Sequence, residues 1–291
     1  MKNNKSLSGK LILLLTAAIW GSGFTFTDIA LDYFTTFQVI ALRFSIAFVV
    51  LLIVFFNKLG KITKDNFIKG GIIGTILFGA YLFQTLGLEF TTTSKNSFLT
   101  AVNVVLVPFI AWLVVKNKLS KNTLLGAFVT LVGIGFTSFT SGKAGGFNIG
   151  DVISLVGAVF FAGHLFYADH YGDHIESWKV MILQMGTAAF WSWVAVLVSG
   201  ESNFVFTTQS MMPILYIGFI TTLLAYALMT IAQKMTTSAE AAIILSTEAF
   251  FGMLTAIWLL NDPVSLPMII GGILIFCGIL VVELKPFKET A

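Results

Sequence analysis

Ten runs of about twenty apolar residues fill this chain, with short polar connections between them. An α-helix of that length crosses a hydrocarbon core of about 30 Å. Only 11% of the residues are charged, whereas about a quarter are charged in a soluble domain. We therefore predict an all-α integral membrane protein with ten transmembrane helices. The predicted spans are 11–30, 36–56, 70–89, 96–115, 122–140, 149–168, 178–199, 212–233, 239–260 and 266–284.

Lysine is distributed unevenly among the connections. If the N-terminus is cytoplasmic, one side of the membrane carries nearly all the lysines, and the other side carries only Arg43, Lys95 and Lys143. Lysine-rich connections stay in the cytoplasm of a multi-pass protein. We expect a protein of the cell (inner, cytoplasmic) membrane, with the lipid bilayer around it and both termini cytoplasmic. The net charge of +3 follows from this topology, so it predicts no nucleic-acid partner.

The second half of the chain repeats the first in a weak but sustained register. A shift of 145 residues places Tyr81 on Tyr226, Thr85 on Thr230, Thr91 and Thr92 on Thr236 and Thr237, Ala111 on Ala256, Ser120 on Ser265, Gly126 on Gly271 and Gly133 on Gly278. A shift of 141 residues places Gly9 on Gly150, Ala17 on Ala158, Asp28 on Asp169 and Leu42 on Leu183.

Each repeat carries five spans, an odd number, so the second copy enters the membrane from the opposite side. We predict a first five-helix repeat at residues 1–145 and a second, inverted five-helix repeat at 146–291, which together form one membrane unit. Inverted repeats place a shared site near the midplane and allow alternating access to it. A duplication retained only for packing is the alternative.

Two equivalent stretches resemble a known family. The segment "TTTSKNSFLTAVNVVLVPFIAWLVVKNKLSKNTLLGAFVTLVGIG" and its echo "TTSAEAAIILSTEAFFGMLTAIWLLNDPVSLPMIIGGILIFCGIL" resemble the ten-helix EamA-type branch of the drug/metabolite transporter superfamily. The resemblance implies an inner-membrane carrier, often an exporter of amino acids or related metabolites, with a central cavity between the halves. In that family the ninth span often contains Glu-Pro, followed by a run of small and aromatic residues, and ends in Gly-Glu. Here Glu248 matches the first position, Ala249 replaces the proline, and Asn261 and Asp262 replace Gly-Glu.

Glu248 lies near the middle of its apolar run, roughly 13–18 Å from either end at 1.5 Å per residue. An ionised glutamate in lipid costs at least about 3 kcal/mol, so we expect Glu248 to face the helix bundle or a cavity. The same helical face carries Ala241, Gly252 and Thr255. A low dielectric favours the neutral carboxyl until a cation or water arrives, which makes proton coupling one hypothesis. A protonated glutamic acid that is hydrogen-bonded to another helix is the other.

The repeat partner of Glu248 is Asn103, whose helical face carries Asn96, Thr100 and Val107. Two equivalent spans thus turn a polar stripe inward at about the same depth. We therefore add Asn96, Thr100 and Asn103 to the candidate site.

Arg43 is the only arginine of the chain and lies inside the second span. Its guanidinium is suited to bind a substrate carboxylate with two parallel hydrogen bonds. The alternative is that Arg43 snorkels outward and pairs with Asp28 or Asp32. Its repeat partner is Gln184.

His164 lies inside the sixth span, where it is a candidate for hydrogen bonding to substrate, for proton relay, or for helix packing. Aromatic and amide side chains form further candidate cavity walls, although aromatic residues in membranes also face lipid or pack between helices. These candidates are Trp20, Phe24, Tyr81, Gln84 and Tyr226.

The segment "HYGDH" places His170 and His174 at a spacing found in metal sites. Gly172 interrupts it at the end of a span, so we predict a solvated loop, no metal and no cofactor. Gly126 and Gly133, which recur as Gly271 and Gly278, predict instead a close helix–helix seam.

A secondary transporter for a small organic metabolite is the function that these features favour, with export of amino acids and proton coupling as its finer hypotheses. A passive facilitator or an uptake carrier of the same fold is the alternative. A membrane-embedded enzyme is the remote one, because no catalytic motif is present, and the phosphate-binding motif of ATPases is also missing. The sequence does not indicate the oligomeric state.

Overall fold

The computed structural model describes residues 2–116, 118–137, 146–172 and 175–286. These residues form thirteen α-helices and no strand. The helices are α1 (Lys2–Leu31), α2 (Thr36–Val54), α3 (Lys64–Leu88), α4 (Thr93–Ala101), α5 (Asn103–Val115), α6 (Lys121–Thr137), α7 (Ile149–Gly172), α8 (Ser177–Ser199), α9 (Thr208–Leu215), α10 (Ala225–Gln233), α11 (Ser238–Ser246), α12 (Glu248–Leu260) and α13 (Leu266–Leu284). A 3₁₀ helix covers Phe56–Lys61, and a π-helix covers Tyr216–Leu224 between α9 and α10.

Within the described residues, nine helical segments are long and apolar enough to cross a membrane. They include three composite spans: α4 with α5, α11 with α12, and α9 with α10 and the π-helix between them. The remaining predicted span, 122–140, corresponds to α6, a shorter apolar helix of 17 residues whose predicted end lies outside the described residues. The prediction of an all-α, multi-pass membrane protein is confirmed.

Equivalent residues of the two repeats end or begin equivalent helices. Thr92 and Thr237 cap α4 and α11, and each hydroxyl accepts a hydrogen bond from the backbone N–H three residues later. Such caps satisfy backbone groups that the helix start leaves unpaired. Lys116 and Asn261 end α5 and α12 in the left-handed region, with φ of 63° and 53°. The weak sequence repeat is therefore also a repeat of helix boundaries.

The helices α6 and α13 pack closely through four glycines. A Cβ at Gly126 would lie 2.6 Å from the carbonyl oxygen of Gly278, and one at Gly133 would lie 2.7 Å from that of Gly271. As the residue number rises along α6 it falls along α13, so the two helices run antiparallel. The predicted glycine seam is confirmed, because a side chain at these positions would separate the backbones.

The helix α1 approaches the start of α12 at another glycine. A Cβ at Gly21 would lie 2.6 Å from the carbonyl oxygen of Glu248 and 2.5 Å from the Cβ of Phe251. This close approach fixes the backbone of Glu248 against the first span.

Candidate functional site

A cavity of about 870 Å³ lies at the centre of the helix bundle. Its lining includes exposed residues at the ends of α7 and α10 and at the start of α11, among them Asp169, Lys234 and Thr237. We call this side the open end. On the opposite side the lining stops at Thr27, which is buried. We call that side, where Asp28 and the start of α4 lie, the closed end.

The cavity brings together all but one of the predicted site residues. Its lining includes Trp20, Phe24, Arg43, Tyr81, Gln84, Thr100, Asn103, His164, Tyr226 and Glu248. Asn96 is the exception: it is completely buried, and its Nδ2 donates hydrogen bonds to the Gln84 carbonyl at 3.1 Å and to the Ser154 hydroxyl at 2.8 Å. Asn96 therefore joins α3, α4 and α7 outside the cavity. The binding role of the other ten stays a prediction.

Glu248 and Asn103 lie at equivalent interruptions of two spans. Each is the first residue of the second segment of its span, after a single turn residue, Thr247 or Val102. Interrupted helices at matching positions of two repeats are typical of binding sites in membrane carriers. Glu248 is half-buried and lines the cavity, and its carboxyl group makes no hydrogen bond or ion pair with another described residue.

The helical face predicted around Glu248 divides into two parts. Ala241 lines the cavity with it. Gly252 instead packs against the Ser97 side chain of α4, and the Thr255 hydroxyl lies 2.9 Å from that of Thr25 on α1. The interruption at Thr247 lies between Ala241 on α11 and the other three residues on α12, so the four do not form one continuous helical face.

Arg43 is buried, and neutral groups hold its side chain in place. Its Nε donates to the Thr222 hydroxyl at 2.6 Å, and its Nη2 donates to the Thr221 hydroxyl at 3.0 Å. The guanidinium carbon lies 4.1 Å from the centre of the Tyr81 ring, a cation–π contact. The alternative pairing with Asp28 or Asp32 is wrong, since Arg43 turns inward and forms no ion pair within the described part of the chain.

A π-helix positions the two threonines that bind Arg43. Both hydroxyls donate to the same carbonyl, that of Ile217, at 2.9 and 2.8 Å. The wider turn of a π-helix allows two consecutive side chains to do so, and such segments are frequent at functional sites. The Trp20 indole N–H donates to the Thr221 carbonyl at 2.9 Å, which ties α1 to the same segment.

Two aromatic pairs line the cavity in equivalent positions. The rings of Trp20 and Tyr226 meet edge to face with centroids 5.2 Å apart, and those of Phe161 and Tyr81 do so at 5.1 Å. The two register shifts place Trp20 on Phe161 and Tyr81 on Tyr226. Each pair thus joins the first span of one repeat to the third span of the other. Sequence reasoning missed Phe161, although the register that aligned Tyr81 with Tyr226 would have found it.

Polar side chains complete the wall. One imidazole nitrogen of His164, Nε2, lies 2.9 Å from the Gln184 Oε1, and both residues are buried. The Gln84 amide donates to the Thr100 hydroxyl at 3.3 Å. Gln184, the repeat partner of Arg43, lines the same cavity. Equivalent positions of the two repeats therefore contribute an arginine, Arg43, and an amide, Gln184, to the cavity wall.

Two ion pairs that the sequence analysis missed join the repeats. Lys95 Nζ lies 2.6 Å from Asp151 Oδ2, and both side chains are completely buried. Lys10 Nζ lies 2.6 Å from Glu240 Oε1, with 40% and 36% of the side chains exposed. Residues from distant spans form both pairs, so only the repeat register offered a signal for them.

The "HYGDH" segment begins inside α7. His170, Tyr171 and Gly172 extend this helix beyond the predicted end of the span at 168, so the loop prediction is wrong for them. The His170 ring stacks on Phe166 with centroids 5.6 Å apart, and it is exposed. His174 lies outside the described residues. Among the described residues, no group of His, Cys, Asp and Glu side chains is arranged to hold a metal ion.

Comparisons with known proteins agree on one family. The model of the EamA-like transporter family matches the chain twice, at residues 7–139 and 148–284. An uncharacterized transporter of Archaeoglobus fulgidus is 34% identical over 97% of the chain and 87% of its own length. The uncharacterized transporter YvbV of Bacillus subtilis is 24% identical over 100% of the chain and 96% of its own length. A solved crystal structure superposes with a TM-score of 0.69 at 17% identity, over 96% of this chain and 97% of the other, which indicates a shared fold.

Proposed function

Because the chain belongs to the EamA-like transporter family, we propose that it is a secondary transporter that exports a small organic metabolite, such as an amino acid, by alternating access. One observation supports this proposal most. The central cavity holds a buried guanidinium and a half-buried carboxyl group, Arg43 and Glu248, and neither has an oppositely charged partner among the described residues. Charged groups inside a membrane are costly, so such a pair indicates a ligand of complementary charge.

Arg43 is proposed to bind a carboxylate of the substrate. Threonine hydroxyls and an aromatic face hold its guanidinium without neutralising it. A carboxylate that enters the cavity would supply the missing negative charge, and charge-assisted hydrogen bonds are the strong ones in such a site. Arg43, Tyr226 and Glu248 all line the same cavity, so a substrate inside it can reach both charged groups.

Glu248 is proposed to couple transport to protons. Glu248 lines the cavity at an interruption of the ninth span. A proton on its carboxyl group would be exchanged for the positive charge of a substrate as access alternates. A structural carboxyl group, hydrogen-bonded to a neighbouring helix, is the competing role, and no described residue makes that bond.

The two halves, 1–145 and 146–291, are proposed to be inverted repeats within a ten-helix unit. The twofold match of one family model supports this. The antiparallel seam supports it further, because Gly126 meets Gly278 while their repeat partners, Gly271 and Gly133, meet each other. A two-fold axis perpendicular to the helices produces this reciprocal contact. In a membrane such an axis lies in the plane of the bilayer.

The proposed orientation in the cell membrane follows from the lysine distribution, which places both termini in the cytoplasm. The open end of the cavity then faces the cytoplasm, as an exporter that is ready to load its substrate requires. We propose no enzymatic role, because the family and the relatives are named as transporters, which are generally not enzymes.

Solute flux into reconstituted vesicles tests the proposal. Purified protein in liposomes, supplied with a panel of amino acids and related metabolites, is expected to transport at least one of them. A flux that responds to an imposed pH gradient supports coupled transport, whereas a flux that ignores it favours the passive facilitator. Binding without flux for every metabolite contradicts a transport role.

A further inference from the structure

The two ends of the cavity differ in one pair of equivalent acids, Asp28 on α1 and Asp169 on α7. At the closed end, the Thr93 hydroxyl donates a 2.7 Å hydrogen bond to Asp28 Oδ2. Thr93 is the first residue of α4, and it is buried. This contact ties the first span of the first repeat to the start of its fourth span, next to the point where the cavity lining stops at Thr27.

A second acid strengthens the closed end. Asp262, in the connection between α12 and α13, accepts a 2.9 Å hydrogen bond from the backbone N–H of Ser94. The start of α4 therefore meets carboxylates from both halves of the chain. Negative charge at a helix N-terminus is favourable.

At the open end the equivalent acid is free of such a contact. Asp169 is exposed, lines the cavity and makes no hydrogen bond or ion pair with another described residue. The register that places Thr91 and Thr92 on Thr236 and Thr237 places Thr93 on the first residue of α11. The start of α11 also lines this end of the cavity, through Thr237.

The ion pairs do not distinguish the two ends in this way. Lys95 with Asp151 and Lys10 with Glu240 are both formed, each at 2.6 Å, although the cavity is open at one end and closed at the other. Contacts that are formed at the open end and at the closed end of the same structure hold helices together and do not decide which end is open. A gate must be made at one end and broken at the other.

We propose that Asp28 and Asp169 are the gate residues of the transporter: Asp28 closes one end on the start of α4, and Asp169 closes the other end on the start of α11 in the alternate state. This inference rests on the proposed function, since it assumes a cavity that opens to each side in turn. It adds two residues that line or adjoin the cavity and that no motif indicated.

Sided labelling of a cavity cysteine tests the gates without a substrate. The lone Cys277 is replaced by serine, and Thr100→Cys, which lies in the cavity wall, serves as the reporter. A membrane-impermeant maleimide is applied from either side of oriented membrane vesicles. The ratio of the two labelling rates measures which end is open, and the intrinsic reactivity of the thiol cancels in that ratio.

The expected result is a pair of opposite shifts. Asp28→Ala should raise labelling through the closed end by about tenfold relative to the open end, as the loss of one charge-assisted hydrogen bond predicts. Asp169→Ala should shift the ratio in the other direction, and the double variant should return toward the parent ratio. Asp32→Ala is the matched control: it removes a neighbouring acid just after the end of α1 but no described side-chain hydrogen bond, so it should leave the ratio unchanged.

The outcomes separate this inference from the proposed function. Unchanged ratios, or shifts in the same direction, in protein that elutes as a single species would overturn the gates. If Asp28→Ala fails to fold, Thr93→Val removes the donor of the same bond and should give the same shift. Opposite shifts without any metabolite flux would leave the gates standing and count against transport.

Discussion

Lys95 and Asp151 form a completely buried ion pair, and Lys10 and Glu240 form its half-exposed equivalent. The register shifts place Lys10 on Asp151 and Lys95 on Glu240, so the two pairs occupy the same place in the two repeats with their charges exchanged. The two halves of the chain therefore make the same contact twice, although different residues form it. Neither pair was visible as a sequence motif, because its two residues lie far apart in the sequence and the lysine and the acid exchange places between the repeats.

Burial makes these two pairs unequal in energy. Asp151→Asn leaves the Lys95 ammonium buried without a counter-charge, and such a loss costs about 3–5 kcal/mol. The equivalent change, Glu240→Gln, leaves Lys10 partly hydrated and should change stability little. Thermal unfolding in detergent should show a large fall in Tm for the first variant and almost none for the second. Equal falls in Tm for the two variants would contradict the claim that burial makes the Lys95–Asp151 pair the more important one.

The glycine seam predicts a contrast within α6. Gly133→Ala would place a methyl group 2.7 Å from the Gly271 carbonyl oxygen, so the helices must separate at a cost of about 1–3 kcal/mol. Gly135→Ala is the matched control, because no atom lies within 4 Å of a Cβ there. Thermal unfolding should show a lower Tm for Gly133→Ala only. Gly135→Ala should keep or slightly raise the Tm, because alanine has a higher helix propensity than glycine. A stable Gly133→Ala protein would count against a tight seam.

The role proposed for Arg43 predicts selectivity for carboxylates. Arg43→Ala should weaken binding of a carboxylate-bearing substrate at least tenfold and leave its neutral amide analogue nearly unaffected. Arg43→Lys keeps the charge but loses the planar fork, so it should be only a partial replacement. Competition with labelled substrate in vesicles measures both effects. The same loss for the acid and its amide would indicate that Arg43 serves packing.

The helices were predictable because a segment that crosses a bilayer must satisfy its own backbone hydrogen bonds, and an α-helix does so. Hydrophobic length alone located each described span, and the repeated glycines located the seam of α6 and α13. Polar residues in apolar runs also identified the cavity wall, since Arg43 and Glu248 are too costly to face lipid.

Other features depend on contacts that local sequence does not encode. Neither Val102 nor Thr247 is a glycine or proline, so the interruptions before Asn103 and Glu248 carried no local signal. Two threonines of an ordinary apolar run hold Arg43 only because the backbone there widens into a π-helix. Asn96 shared a helical face with Thr100, yet Ser154 of another helix binds it outside the cavity.

Proton-driven flux in Glu248→Gln tests the central claim most directly. Wild type, Glu248→Gln and Glu283→Gln are reconstituted in parallel, and Glu283 is the matched control because it is another glutamate that lines the cavity. The account predicts metabolite flux that follows the pH gradient in wild type and Glu283→Gln, and flux independent of the gradient in a well-folded Glu248→Gln protein. Normal gradient-driven flux in Glu248→Gln at every pH would contradict it.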